Sequence, residues 1–209
     1  MFERVGPLVA AVLVVVGLVL VLPDDEPPAP DEDPVPAFLA AYERSRTVEL
    51  VVESTFTRTV ADGRELRYEQ RIVQRPPDDR LVIGAGSATG RIGGRIVRCT
   101  VVAEGAPTCV QGAAAPPYAE EVAAELSALR ALVEGAARPY DVDAVEAADG
   151  EVLSACFALE LQAAMLSPPY GTAARFCFDT ATGALADVEV VRDESTDRTV
   201  ADEIRTEVT

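Results

Sequence analysis

The 209-residue chain contains no histidine, lysine, asparagine or tryptophan. Each absence removes chemistry. Without histidine or lysine there is no imidazole base, no amine nucleophile and no Ser–His or Ser–Lys dyad, and the commonest metal ligand is missing. A phosphate loop would lack the lysine that grips the nucleotide. Every positive side chain is an arginine, and 18 arginines face 35 acidic residues, a formal net charge of −17. That field repels polynucleotides and anionic membrane surfaces, so no nucleic-acid partner is expected. With the usual acid–base and nucleophile-activating groups gone, the reading is of a non-enzymatic protein with no cofactor and no metal.

What the chain does have begins at its start. Val5–Leu22 is an uncharged run of eighteen residues, roughly 27 Å long as a helix and so close to the hydrocarbon thickness of a bilayer. The competing reading is a cleaved signal peptide. No small-x-small site follows Leu22, where Pro23, Asp24 and Asp25 stand instead, and the first cysteine is Cys99, far from a lipoprotein signal. The expected organisation is therefore a short cytoplasmic tail (1–4), a single-pass membrane anchor (5–22), an acidic proline-rich linker (23–36) and an extracytoplasmic domain (37–209). Arg4 before the run and the acidic stretch after it orient the amino terminus inward. The linker, with six prolines and six acids in fourteen residues, reads as an extended stalk.

All four cysteines lie in the exported part. The gaps between Cys99 and Cys109 and between Cys156 and Cys177 suit no zinc site. Four cysteines allow three disulfide pairings. The strand pattern favours Cys99–Cys109 and Cys156–Cys177. Phe38, Leu39 and Tyr42 recur at helical spacing behind Pro36 and predict a short helix. Val48, Leu50, Val52 and Phe56 alternate with polar residues up to a turn at Ala61-Asp62-Gly63, and Leu66, Tyr68 and Ile72 return. Strands are predicted from Leu81 and from Arg95 to Val102, with Ala103–Thr108 a loop. Val122, Leu126, Leu129 and Val133 mark a helix of about five turns from Pro117 to Ala137, lying across a sheet. Alternation resumes through Phe157, Leu159 and Leu161, then Phe176 and Phe178, Leu185–Val191 and a last polar strand. The predicted class is α+β: a curved antiparallel sheet, a half-barrel of about seven to nine strands, covered by one long helix and preceded by a transmembrane helix.

Other motifs dissolve on inspection. Gly84-Ala-Gly86-Ser-Ala-Thr-Gly90 lacks the spacing and following helix of a phosphate loop and reads as a glycine-rich hairpin. Asp141-Val-Asp143 and Asp149-Gly-Glu151 lack the frame of a calcium loop. What remains is shape. Val52, Phe56, Tyr68 and Ile72 from the sheet, with Leu126, Leu129 and Val133 from the helix, are the candidate lining of an apolar ligand space. The plainer alternative is that these seven simply form the core.

The layout resembles the half-barrel lipoprotein carriers, the LolA-type and LolB-type proteins and the mycobacterial LppX/LprG-like lipoproteins. The matching features are the helix at Phe38–Arg46, the hairpin at Ala61-Asp62-Gly63, Gln74-Arg75-Pro76-Pro77 before the third strand, and the helix near Pro117–Ala137. The resemblance implies a lipid-binding cavity between sheet and helix. The chain departs from these carriers in lacking a lipobox cysteine, in its expected anchor and in its expected pair of disulfides. The fixed anchor favours a stationary binder, chaperone or sensor over a shuttle. The other class is an envelope interaction or sensor module, solidly packed, presenting an acidic surface to a protein partner.

Overall fold

The computed structural model describes residues 33–100, 107–147 and 154–206. The expected anchor Val5–Leu22, most of the linker and the Asp149-Gly-Glu151 turn lie outside the described residues. Among the described residues no helix is long and apolar enough to cross a membrane.

Helix α1 spans Pro34–Thr47. The Asp33 side chain caps it by accepting from the Val35 N–H at 3.0 Å, and Pro34 and Pro36 fit a first turn whose N–H groups have no intrahelical partner. Arg44 and Arg46 in the last turn complement the helix dipole. The helix thus begins inside the stretch read as linker. Six strands follow: β1 (Leu50–Val60), β2 (Glu65–Arg75), β3 (Asp79–Gly84), β4 (Ser87–Ile92), β5 (Arg95–Thr100) and β6 (Thr108–Ala114). After α2 (Tyr118–Val133) come β7 (Tyr140–Val145), β8 (Ser154–Leu161), β9 (Ala173–Asp179), β10 (Leu185–Arg192) and β11 (Ser195–Arg205).

The strands form one open antiparallel sheet of eleven, in the order β6-β5-β4-β3-β2-β1-β11-β10-β9-β8-β7. The predicted seven to nine strands are therefore too few, and the two helices, of 14 and 16 residues, are nearly equal in length. The α+β class and the antiparallel sheet stand. So does the glycine-rich hairpin, with Gly84 opposite Ser87 and Gly86 at φ 78°. Two meandering arms, β1–β6 and β7–β11, meet where β1 pairs β11, and α2 joins the two outer edges.

Residues directly opposed in an antiparallel pair share a face, so the register sorts the side chains. One face, here the inner one, meets the helices. Phe38 of α1, fully buried, sits 5.5 Å from both Phe157 and Phe176 and 6.4 Å from Phe178. Leu129 and Val133 of α2, Tyr140, Val142 and Leu159 complete this main core. The core lies over the β7–β10 arm. Burying a phenylalanine of this kind stabilises by about 2–3 kcal/mol.

The outer face carries both disulfides. Cys99 opposes Cys109 across β5 and β6, and Cys156 opposes Cys177 across β8 and β9. This is the pairing that the strand pattern favours. The outer face also holds charge chains, with Asp187 between Arg175 (2.8 Å) and Arg198 (3.0 Å), and Glu53 between Arg71 (3.2 Å) and Arg205 (3.0 Å).

Candidate functional site

The seven residues proposed from the sequence fall into separate groups. Val52 and Ile72 are opposed on the inner face and share a small cluster with Leu50 and Ala184. Phe56 and Tyr68 are opposed four residues further along, their rings stacked at 4.8 Å and half exposed. Leu129 and Val133 turn instead toward Phe38 and the β7–β10 arm. Leu126, one turn earlier, packs with Tyr118, Val122 and Tyr42. The structure thus brings Val52 to Ile72, Phe56 to Tyr68 and Leu129 to Val133. No buried cluster among the described residues holds both the sheet set and the helix set.

The two arms differ in how their inner faces are covered. On the β7–β10 arm, α1 and α2 fill the space. On the β1–β6 arm the register gives a row of Leu50, Gln74, Arg80, Arg91 and Ile96, and next to it a row of Val52, Ile72, Val82, Thr89, Arg98 and Val110. The first turn of α2 reaches the first row. Ile72 and Val82 of the second row are only half buried, and Val110 is 69% exposed.

Where α2 meets this arm, a polar system stands that the sequence reading missed. Gln74, 2% exposed, donates its amide to the carbonyls of Ser45 (3.1 Å) and Val48 (2.7 Å) at the end of α1. The Tyr118 hydroxyl donates to the Arg46 carbonyl at 2.7 Å and lies 3.3 Å from Gln74 Oε1. Arg46 grips Glu125 with two hydrogen bonds, of 2.7 and 2.9 Å, and approaches Glu121 at 3.6 Å. Arg91 Nη1 donates to Glu121 at 3.0 Å. The guanidiniums of Arg46 and Arg91 lie 5.8 and 5.2 Å from the Tyr118 ring centre, a cation–π arrangement. Burial, chiefly, and the nearby Arg46 charge push the Arg80 guanidinium below its usual range. Burial likewise raises the Tyr42 and Tyr118 hydroxyls. These side chains belong to α1, β2, β3, β4 and α2, so no local pattern groups them. The available signal was polar residues recurring at inward strand positions.

Two hollows indent the β1–β6 arm, the first on its inner face and the second against the outer-face residues Thr55, Arg67 and Glu69. One, of about 330 Å³, is lined by Arg80, Thr89, Gly90, Arg91, Ile96, Val97, Arg98 and Glu121. Gly90 is required there: a β-carbon would run into the Arg80 carbonyl of the neighbouring strand. The other, of about 540 Å³, is lined by Thr55, Arg67, Tyr68, Glu69, Gly84 and Ala85, where β2 continues past the end of its pairing with β3. No cluster of three or more potential metal ligands occurs among the described residues.

No protein-family model matches the sequence, and no curated protein sequence does. Solved structures do match. The structure of MucB is 13% identical over 87% of this chain and 62% of its own, with a TM-score of 0.51. The Mycobacterium tuberculosis lipoprotein LppX is 13% identical over 83% of this chain and 98% of its own, at a TM-score of 0.41. A LolA superfamily protein from Nitrosomonas europaea is 10% identical over 83% and 94%, at 0.34. The chain spans just under two thirds of the MucB chain. At these identities the likeness is one of fold alone, and the MucB match carries it: this chain is an open antiparallel sheet with two helices against one face.

Proposed function

We propose that this chain is a non-enzymatic extracytoplasmic domain that binds a lipid or another apolar ligand on the inner face of the β1–β6 arm and is held at a membrane by Val5–Leu22. One observation carries the reading: apolar side chains left uncovered on that face. Five large hydrophobics are exposed among the described residues, and Leu66, Ile96 and Val110 all stand there by register. The half-exposed Phe56–Tyr68 stack, Ile72 and Val82 extend the same surface. Apolar area gathered on one face, next to a filled core, marks a binding surface. The main core, with Leu129 and Val133 in it, gives the ligand a rigid support. A LolA/LppX-like fold with an exported, cysteine-bearing domain fits this assignment.

A second reading has its own observation. All seven residues of β6 are exposed at the sheet edge, a place where an extended segment of a protein partner can add a strand. MucB has been solved in complex with MucA(peri), so a protein partner is the competing class.

A photoactivatable fatty acid offered to the full chain in membranes separates the two. Adducts mapped by peptide mass spectrometry should fall on Phe56, Tyr68, Ile72 and Val82, and Val82→Asp should abolish them. Labelling confined to Val5–Leu22 removes the lipid reading and leaves the edge strand.

A further inference from the structure

We propose that the hollow beneath the first turn of α2 is an anion subsite in which Arg80, with Arg91 and Arg98, takes the carboxylate or phosphate headgroup of an amphiphile whose chain lies along Val82 and Ile72. This rests on the reading of the inner face as a lipid-binding surface and names the class of lipid.

The argument starts from unused hydrogen-bond donors. Arg91 is 5% exposed, yet its Nε has no acceptor among the described residues, and the buried Nε of Arg80 has none either. Buried guanidinium groups are ordinarily paired. The carboxylates nearby are committed elsewhere: Glu125 is held by Arg46 through both oxygens, and Glu121 is shared between Arg46 and Arg91. Arg80 enters none of the ion pairs formed among the described residues. Four arginines, at 46, 80, 91 and 98, therefore gather around two glutamates, in a chain whose net charge is −17. A local surplus of positive charge against that background needs a reason, and an anionic ligand supplies one.

The stereochemistry agrees. Arg80, Arg91 and Arg98 all line the 330 Å³ hollow, and the exposed Thr89 adds a hydroxyl at its wall. Guanidinium forks recognise carboxylate and phosphate oxygens in pairs. The ring of Tyr118 steadies Arg46 and Arg91 by cation–π contact. Val82 stands opposite Thr89, and Ile72 opposite Val82. A headgroup at the arginines thus has an apolar track leading from it along the same face. The bulk acidity of the chain keeps non-specific anions away, so the subsite discriminates by the chain attached to the headgroup.

The test uses the full chain in detergent with four photoactivatable probes of matched chain length: a fatty acid, its methyl ester, phosphatidic acid and diacylglycerol. The acid should label at least tenfold more strongly than its ester, or phosphatidic acid at least tenfold more strongly than diacylglycerol. Whichever pair separates identifies the headgroup. Arg80→Gln should bring the charged probe down to its neutral counterpart while leaving neutral labelling unchanged. Arg98→Gln, at an exposed position, should weaken the charged probe severalfold even if Arg80→Gln impairs folding. Equal labelling by charged and neutral probes on the inner face overturns the subsite and leaves the lipid-binding reading standing. No labelling of the inner face by any probe overturns both.

Discussion

Gln74 shows how one side chain ties the two helices to the sheet. It is 2% exposed and satisfies two carbonyls where α1 gives way to β1, while its own oxygen faces the Tyr118 hydroxyl. Gln74→Leu fills the volume but strands those carbonyls, so it should cost about 2–3 kcal/mol, read as a lowered midpoint in urea unfolding. Asp197 is the other informative position. Hydrogen bonding from Arg58, opposed by burial and aided by the Arg58 and Arg192 charges, holds its carboxyl below the usual range. A depressed carboxylate stabilises the fold above its unfolded pKa, and that contribution is lost as pH falls through the folded value. Stability should thus be flat near neutrality and decline below about pH 4, and Asp197→Asn should flatten that acid limb. Unchanged acid sensitivity in the variant would contradict the assignment. At this scale the sequence shows Phe38, Leu39 and Tyr42 clearly, because helical spacing marks them. Arg80 and Arg91 stay hidden, since arginine is normally solvated and nothing in the spacing says that a helix will cover it.

The elements divide in the same way. The hairpin at Ala61-Asp62-Gly63, with Gly63 at φ 82°, announces itself through turn chemistry, and the stripe on α2 through its period. β4, Ser87–Ile92, and β6, Thr108–Ala114, are made largely of small or polar residues, and their pairing comes from neighbouring strands rather than from an apolar alternation of their own. β7 does alternate, with Tyr140 and Val142 buried. Its two aspartates drew attention to cation chemistry instead. The edge position of β6 has a consequence for the disulfides. Cys109 is exposed, whereas Cys156 and Cys177 are 3% and 5% exposed in the interior of the other arm. Mild reductant acting on the native protein should open Cys99–Cys109 first, leaving Cys156–Cys177 intact until the domain unfolds. Timed alkylation followed by peptide mapping reads the order, and simultaneous loss of both bonds would refute it. In the loop-entropy account each bond contributes about 3 kcal/mol.

For the whole molecule, periodicity tells which face of a strand is buried but not which strand lies beside it, so the joining of β1 to β11 is invisible in the sequence. That seam makes two arms one sheet, and the arms are unequally supported. The β7–β10 arm rests on Phe38, Leu129, Val133 and the aromatic cluster. Among the described residues the inner-face apolar cluster of the β1–β6 arm is the small group around Leu50 and Val52 near the seam, with the arginine-rich hollow further out. Local stability follows buried contact. Hydrogen–deuterium exchange should therefore be slowest in β1, β8, β9 and β11, and distinctly faster in β3–β6. A ligand bound to the native inner face stabilises by mass action, so saturating fatty acid should slow exchange in β2–β4 specifically and leave β8 and β9 unchanged. Uniform protection across both arms, or slowing only in β8 and β9, would place the ligand elsewhere. Under the proposed reading the asymmetry serves binding: one arm holds the fold together, and the other keeps its inner face free to be filled.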